Sequence, residues 1–368
     1  MTAYAAAPHA IRPAERLSEI WRRSATLLVL IAAIALLALL AGQADAVLQR
    51  RVIFCLVNLV AVVGLYIFMG NSGVLNFSVV GFMAIGAYTS ALLSMPAAMK
   101  GTFLPDLPLW LGAMQVPHML ALLTAGVVPA LIALLVGFPI MRLSGIGAAI
   151  ATLSLLFIAY IVLGNWDSLT GGQGSLMGLQ TYVKLPVAAA VAGGAVAVAF
   201  WFQETRWGIA LRASREDEVA ARASGIRIPR VRLIAFVLGA FVAGVAGALF
   251  AHFQGTLRVE NFYLDLTFLL MTMLVVGGSR SLTGAVAGTF AISLVTELLR
   301  QTEVGVTLPG AAVTLQTPAG LGDVALAGVM LVIILFRPNG ISGGREIDEM
   351  WRRRAGRKHR KLPEERNA

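Results

Sequence analysis

Cysteine is almost absent from this chain. Cys55 stands alone among 368 residues, so no disulfide can form within one chain and no cysteine-based metal site can be built. Histidine is nearly as scarce. His9, His118, His252 and His359 fall at the ends of apolar runs or in the tails, and hydrolytic chemistry has no visible pairing of nucleophile and base. No Gly-Lys dipeptide occurs, which excludes a P-loop and, with it, ATP hydrolysis of that kind. Charge is thin as well: 13% of residues are Asp, Glu, Lys or Arg, against 58% hydrophobic. With a mean hydropathy of +0.81, those proportions exclude an ordinary soluble domain.

What is present in quantity is apolar sequence in lengths near twenty residues, the span of a helix across ~30 Å of hydrocarbon. Ten such stretches are expected: 25–42, 52–69, 79–93, 119–137, 145–163, 186–202, 233–252, 262–276, 282–299 and 321–336. The fold class is therefore an all-α polytopic membrane protein of about ten transmembrane helices. The 38 glycines suit helices that must approach closely without a hydrophobic drive between them. Ala240, Gly244 and Ala248 recur every fourth residue in one stretch, as do Gly284 and Gly288 in another; both read as packing stripes. Asn58, in the middle of a span, reads as an interhelical hydrogen bond.

An even number of spans puts both termini on one side, and the charges say which. Arg142, Arg280, the arginines between 206 and 230, and the basic tail all fall on the N-terminal side, so that side is the cytoplasm. Arg50 and Arg51 fall on the wrong face. The net charge of +10 follows from this asymmetry and calls for no nucleic acid. The layout is a cytoplasmic segment 1–24, a transmembrane domain 25–336 with a cytoplasmic loop 203–231, and a basic cytoplasmic tail 337–368 that is solvated or meets anionic membrane lipid. Ala44-Asp45-Ala46 resembles a signal-peptidase site, but the run before it is longer than a typical signal core.

The longest polar interruption, Thr205 to Pro229, carries its own helix signals. Ser214 and Asp217 have capping-box spacing, Glu216, Asp217 and Glu218 crowd the first turn, Arg222 closes the last, and Gly225 supplies a left-handed stop. A helix over 214–225 is expected, too short to be stable alone. Small residues flank it, so it is either a surface that another protein accepts closely or a solvated loop. Elsewhere, Asp265, Glu297, Arg300 and Asp323 lie toward the external ends of spans, where charge either lines a solute path or sits at the interface. The Gly-rich break at 70–73 has an echo at 277–281, a hint of internal duplication. Leu169-Thr170-Gly171-Gly172-Gln173 imitates the signature peptide of ABC ATPases but lies in an external loop without the other nucleotide-binding elements. Together these features describe a transport subunit with a cytoplasmic docking helix and no engine of its own; an autonomous channel or secondary carrier is the alternative.

Several blocks are recognisable together. Gly64-Leu65, Gly70, Gly73, Leu75 and Phe82 to Tyr88 form one; Ala151-Thr152-Leu153 and Leu169 to Gly172 another; Ala210 to Ala213, Arg215 to Glu218, Ala220-Ala221 through Gly225, and Ala235 to Gly239 the most specific. The chain resembles the permeases of branched-chain amino-acid ABC importers, the LivM and LivH family, and more closely the LivM type. The resemblance implies the ABC importer permease fold and a coupling helix carrying a Glu-Ala-Ala motif, here Glu218, Ala220 and Ala221 with Val219 between them, followed by Gly225. Arg215, Glu216 and Asp217 fall in the same coupling segment. It implies as partners ABC ATPase subunits, which hydrolyse the ATP, a homologous second permease and a periplasmic solute-binding protein, with no cofactor or metal, in the bacterial inner membrane. Where the family commonly shows Gln-x-Ser-x-Gly-His, this chain has Val74, Asn76, Ser78 and Val79. Asn76, Asp265, Glu297 and Asp323 are the expected substrate-path residues.

Overall fold

The computed structural model describes residues 13–304, 306–307, 314–315, 324, 327–328, 331, 335–337 and 340–346. The tenth expected span and Asp323 fall largely or wholly outside them. Fourteen α-helices are described, together with four two-residue strands. In chain order the helices are α1 Pro13–Gly42, α2 Ala46–Ser72, α3 Val79–Ser94, the short α4 Ala97–Phe103 and α5 Leu109–Gly112, then α6 His118–Ile140, α7 Gly145–Gly164 and α8 Asp167–Thr170. After them come α9 Leu185–Glu204, α10 Arg206–Glu216, α11 Glu218–Ala223, α12 Ile228–Gln254, α13 Leu264–Gly277 and α14 Leu282–Val304.

Among the described residues eight helical stretches are long and apolar enough to cross a membrane, and α3 is a shorter apolar helix. Their order matches the expected spans in the described part of the chain, with differences at the edges. α6 continues through Pro139 to Ile140, where a tight link is expected; the proline removes one backbone donor from the last turn without ending the helix. The eighth span is built from a 3₁₀ turn, Val259–Phe262, followed by α13.

At the centre α12 packs against α2, α3 and α6. α2 is buried almost throughout from Ile53 onward, as befits a helix surrounded by protein rather than lipid. Exposed leucines and isoleucines cover the outer faces of α1, α6 and α7, the surfaces that meet lipid tails. The expected small-residue stripes are contact lines within the chain. A Cβ on Gly239 would stand 2.7 Å from the Gly64 oxygen, so α2 and α12 touch backbone to backbone. Gly244 abuts Ala125 and Pro129, and Gly288 abuts Gly277.

The connections fall into two groups. Strand Leu176–Met177, after α7, pairs antiparallel with Thr256–Leu257, after α12, which ties two loops together on one face. On the other, basic face lie the polar loop after α9 and the turns joining α2 to α3 and α13 to α14. The two Gly-rich breaks meet there: a Cβ on Gly70 would lie 2.7 Å from the Ser279 oxygen. Ile341 and Ser342 bond back to Val276 and Gly277 carbonyls, and the Glu346 carboxylate accepts from the Leu282 and Thr283 amides (2.7 and 3.2 Å) at the start of α14, where the helix dipole favours an anion. On the opposite face Lys100 is buried with its ammonium donating to the Leu111 and Met114 carbonyls. Burial lowers its pKa from the ordinary lysine value.

Candidate coupling site

The polar loop after α9 folds as two short helices, not as the single helix expected over 214–225. Thr205 caps α10, its Oγ1 accepting from the Gly208 amide at 3.3 Å. α10 then runs through Ser214 to Glu216. Ser214, expected to cap the helix, is buried inside α10 with its Oγ donating to the Leu211 carbonyl at 2.7 Å. The break comes at Asp217, whose backbone is extended (φ −152°, ψ 111°). Its carboxylate accepts from the Val219 and Ala220 amides at 2.8 and 3.0 Å, so Asp217 is the N-cap of α11. The far end of α11 is as expected. Gly225 has φ 82°, its amide bonds to the Arg222 carbonyl (2.9 Å), and the Ile226 amide reaches back to the Ala221 carbonyl (3.1 Å), a glycine-terminated Schellman turn.

Replacing Asp217 with alanine removes both capping hydrogen bonds to its Oδ1 at a cost of about 1 kcal/mol. Amide exchange at Val219 and Ala220 is expected to quicken roughly fivefold, read by hydrogen–deuterium exchange, while exchange in α12 stays unchanged.

The side chains of this loop divide by direction. Outward point Glu216, Asp217, Val219, Ala220, Arg222, Ala223, Ser224 and Gly225, all exposed. Val219 is 79% exposed, an apolar side chain presented to water among small residues. A Cβ on Gly225 would meet nothing within 4 Å. The result is a low, nearly unbranched surface with charges at its margin.

Inward, two arginines tie the loop to the membrane helices. Arg215 donates through Nη1 to the Gly70 carbonyl at 2.6 Å, at the end of α2 where that helix presents unsatisfied carbonyls, and it also pairs with Glu216 at 3.0 Å. Its side chain lies over Gly73, whose φ is 71° and where a Cβ would come within 2.7 Å of the Arg215 Cγ. Glu218 pairs with Arg222 at 3.2 Å, one turn on, and closely with Arg232 of α12. Arg232 is 4% exposed and also donates to the Leu143 carbonyl in the α6–α7 link (3.3 Å). Movement of α11 therefore has a direct ionic connection to the central helix, and movement of α10 has a hydrogen-bonded one to α2. Arg232 is not legible in the sequence because the last of three arginines (Arg227, Arg230, Arg232) at the start of a span looks like another positive-inside charge; its pairing with Glu218 across fourteen residues leaves no periodic trace.

The expected solute-path residues are dispersed. Asn76 is 5% exposed and its Oδ1 accepts from the Ser78 amide and hydroxyl (3.0 and 2.7 Å), starting α3. Asp265 is exposed in the first turn of α13. Glu297 pairs with Arg51 at 2.8 Å, which gives one of the two misplaced arginines a partner. Asn58 makes no interhelical bond through Oδ1, which is buried without a hydrogen-bond partner.

Nothing in the loop resembles a catalytic arrangement. Gly340-Ile341-Ser342-Gly343-Gly344 has the spacing of a hydrolase nucleophile elbow, but the Ser342 Oγ lies 2.8 Å from the Ser281 Oγ and accepts from the Gly344 amide, fixing the turn beside α14. Among the described residues no group of His, Cys, Asp and Glu could hold a metal ion.

The family profile described as branched-chain amino acid transport system / permease component matches residues 50–335. The chain belongs to this family. It is 28% identical over 312 residues to the high-affinity branched-chain amino acid transport system permease protein LivM of Salmonella typhimurium and, with the same figures, of Escherichia coli; each match covers 76% of this chain and 66% of the relative. The chain thus spans a little under two thirds of those relatives' length. A shorter match, 29% identical over 157 residues, covers 42% of the chain and 46% of LivH from Escherichia coli. No solved structure matches. The match embraces both the polar loop after α9 and the helices its arginines hold.

Proposed function

We propose that this branched-chain-permease family member is a permease subunit of an ATP-binding cassette importer, moving branched-chain or related amino acids across the bacterial inner membrane. It carries no ATP chemistry of its own. In this reading α11 seats in a groove on an ATPase subunit, a second and homologous permease completes the pore, and a periplasmic binding protein delivers the solute. The observation that carries the proposal is the construction of the α10–α11 loop. Its outer face is small and sharply ended at Gly225, while its inner face is tied to α2 through Arg215 and to α12 through Glu218. Small side chains permit close approach and the marginal charges fix register. Closure of an ATPase dimer is then passed on as a rigid-body motion of the permease pair. Family members that match as LivM and as LivH support a paired permease.

Reconstitution separates this reading from an autonomous carrier. The chain alone in liposomes is expected to take up no L-leucine above the protein-free rate, and uptake is expected to appear only with ATPase subunits, second permease, binding protein and ATP. Full-rate uptake by the chain alone sinks the importer reading.

A further inference from the structure

Arg50 and Arg51 run against the charge rule as an adjacent pair: they sit on the face opposite the basic one, where Lys100, Lys184 and Arg258 occur only singly. Basic residues are unfavourable there, and the structure shows what they surround. A cavity of about 480 Å³ opens beside them between α2, the end of α12, α13 and α14. Arg50, Arg51, Glu297 and Arg300 lie at its mouth end and Asn58 at its deep end. Exposure falls from 59% at Arg300 to 27% at Arg51 and 1% at Asn58. Asn58 is seven residues past Arg51 on α2, two turns and about 10 Å deeper on the same helix face. No lining residue of α2 lies beyond it, so among the described residues the cavity ends there.

Three features of this cavity point to a ligand. Its guanidinium groups outnumber its carboxylates: Glu297 is shared between Arg51 (2.8 Å) and Arg300 (3.7 Å), while Arg50 has no carboxylate partner among the described residues and lies 5.9 Å over the Phe253 ring. The Arg51 Nε is a buried donor and the Asn58 Oδ1 a buried acceptor, each without a partner; such groups are costly to leave unmade. Between the polar groups the wall is apolar and partly sulfur-bearing, with Phe54, Leu269 and Met273. An unpaired donor on Arg51 and an excess of cations over carboxylates at the mouth, acceptors in Glu297 and, deeper, in Asn58, and an aliphatic-aromatic wall are together complementary to a zwitterion with a hydrocarbon side chain.

We propose that this cavity binds an aliphatic α-amino acid within the permease itself. Its carboxylate is taken by Arg50 and Arg51, its ammonium by Glu297 and then by Asn58 Oδ1 as it moves inward, and its side chain lies along Phe54, Leu269 and Met273. This rests on the transport reading above and adds a site to it. Asn58 is on this account a solute ligand rather than a bond between helices.

The test is equilibrium binding of radiolabelled L-leucine to the complex purified from its native host in nanodiscs, without ATP or binding protein. Saturable binding is expected, displaced by isoleucine and valine. Leucinamide lacks the carboxylate and 4-methylpentanoate lacks the ammonium; both are expected to compete at least tenfold more weakly. Asn58→Leu and Glu297→Gln are each expected to weaken leucine binding at least tenfold. Arg300→Ala, at an exposed position whose loss spares the fold, is expected to weaken it severalfold. Binding that all three variants leave untouched resides elsewhere and overturns the proposal, as does a complex that transports leucine yet shows no saturable binding, or one whose cavity retains an anionic lipid that leucine cannot displace. A complex that binds leucine with this pattern but never transports it keeps the site and removes the importer function.

Discussion

Arg232→Leu is expected to lower ATP-driven uptake by the assembled complex by at least ~10-fold, the equivalent of about 1.4 kcal/mol, while ATP hydrolysis continues and the thermal midpoint shifts little. Arg232 is 4% exposed and joins Glu218 of α11 to α12, with a second bond to the Leu143 carbonyl. Removing one partner of a buried ion pair costs about 3–5 kcal/mol when the other is left stranded. Here the stranded group is Glu218, whose side chain is 32% exposed and reaches water once released, and leucine fills the buried volume. The fold is therefore spared most of that penalty, and what is lost is the ion pair joining α11 to the central helix, the link that the proposed importer reading uses to move it. Arg215→Ala, cutting the parallel link to Gly70, is expected to add to the defect because the two links reach different helices. Wild-type uptake by Arg232→Leu would show that the Glu218 pair transmits nothing.

Gly247→Val is expected to remove the folded protein altogether. A Cβ at Gly247 would collide with the Met83 oxygen and stand 2.7 Å from the Met83 carbonyl carbon and 3.0 Å from the Ala87 nitrogen. These are backbone atoms of α3, which cannot rotate away as a side chain can. Overpacking a core ordinarily costs about 1–3 kcal/mol; separating two helices along their backbone contact exceeds that and consumes much of a stability of roughly 5–15 kcal/mol. Size-exclusion chromatography in detergent is expected to show loss of the monodisperse peak. Gly193→Val is the matched control, since a Cβ there meets nothing within 4 Å, and it is expected to elute as wild type. Equal behaviour of the two variants would mean that α3 and α12 are not in backbone contact.

The sequence discloses the helices that cross the membrane because the signal is coarse: runs of apolar residues matched to bilayer thickness need no knowledge of packing. Gly244 and Gly288 are legible as contact residues for a related reason, since a four-residue repeat of small side chains has few other uses in a membrane helix. The polar loop of α10 and α11 is legible at one end only. Gly225 marks its stop because positive φ selects glycine. The start is misplaced because Ser214 and Asp217 carry the spacing of a capping box, whereas the side chain that caps is Asp217 itself, after Arg215 has turned back to the Gly70 carbonyl. That choice depends on the end of α2, 145 residues away in sequence. Arg51 and Asn58 are illegible for the same reason. Each looks local, one as a misplaced charge and one as a polar residue between helices, until α14 and the cavity are set beside them.

Co-purification tests whether α11 is the part of this chain that an ATPase holds. The chain is extracted in mild detergent from cells expressing its native partners, once intact and once carrying Glu218→Lys with Gly225→Leu. The first change opposes Arg222 and Arg232 with a like charge, and the second forces a branched residue into φ 82° without a steric clash elsewhere. ATPase subunits recovered with the intact chain and lost from the variant, both eluting as folded protein, are the predicted result. Equal recovery in the two samples, or no ATPase in either, contradicts it.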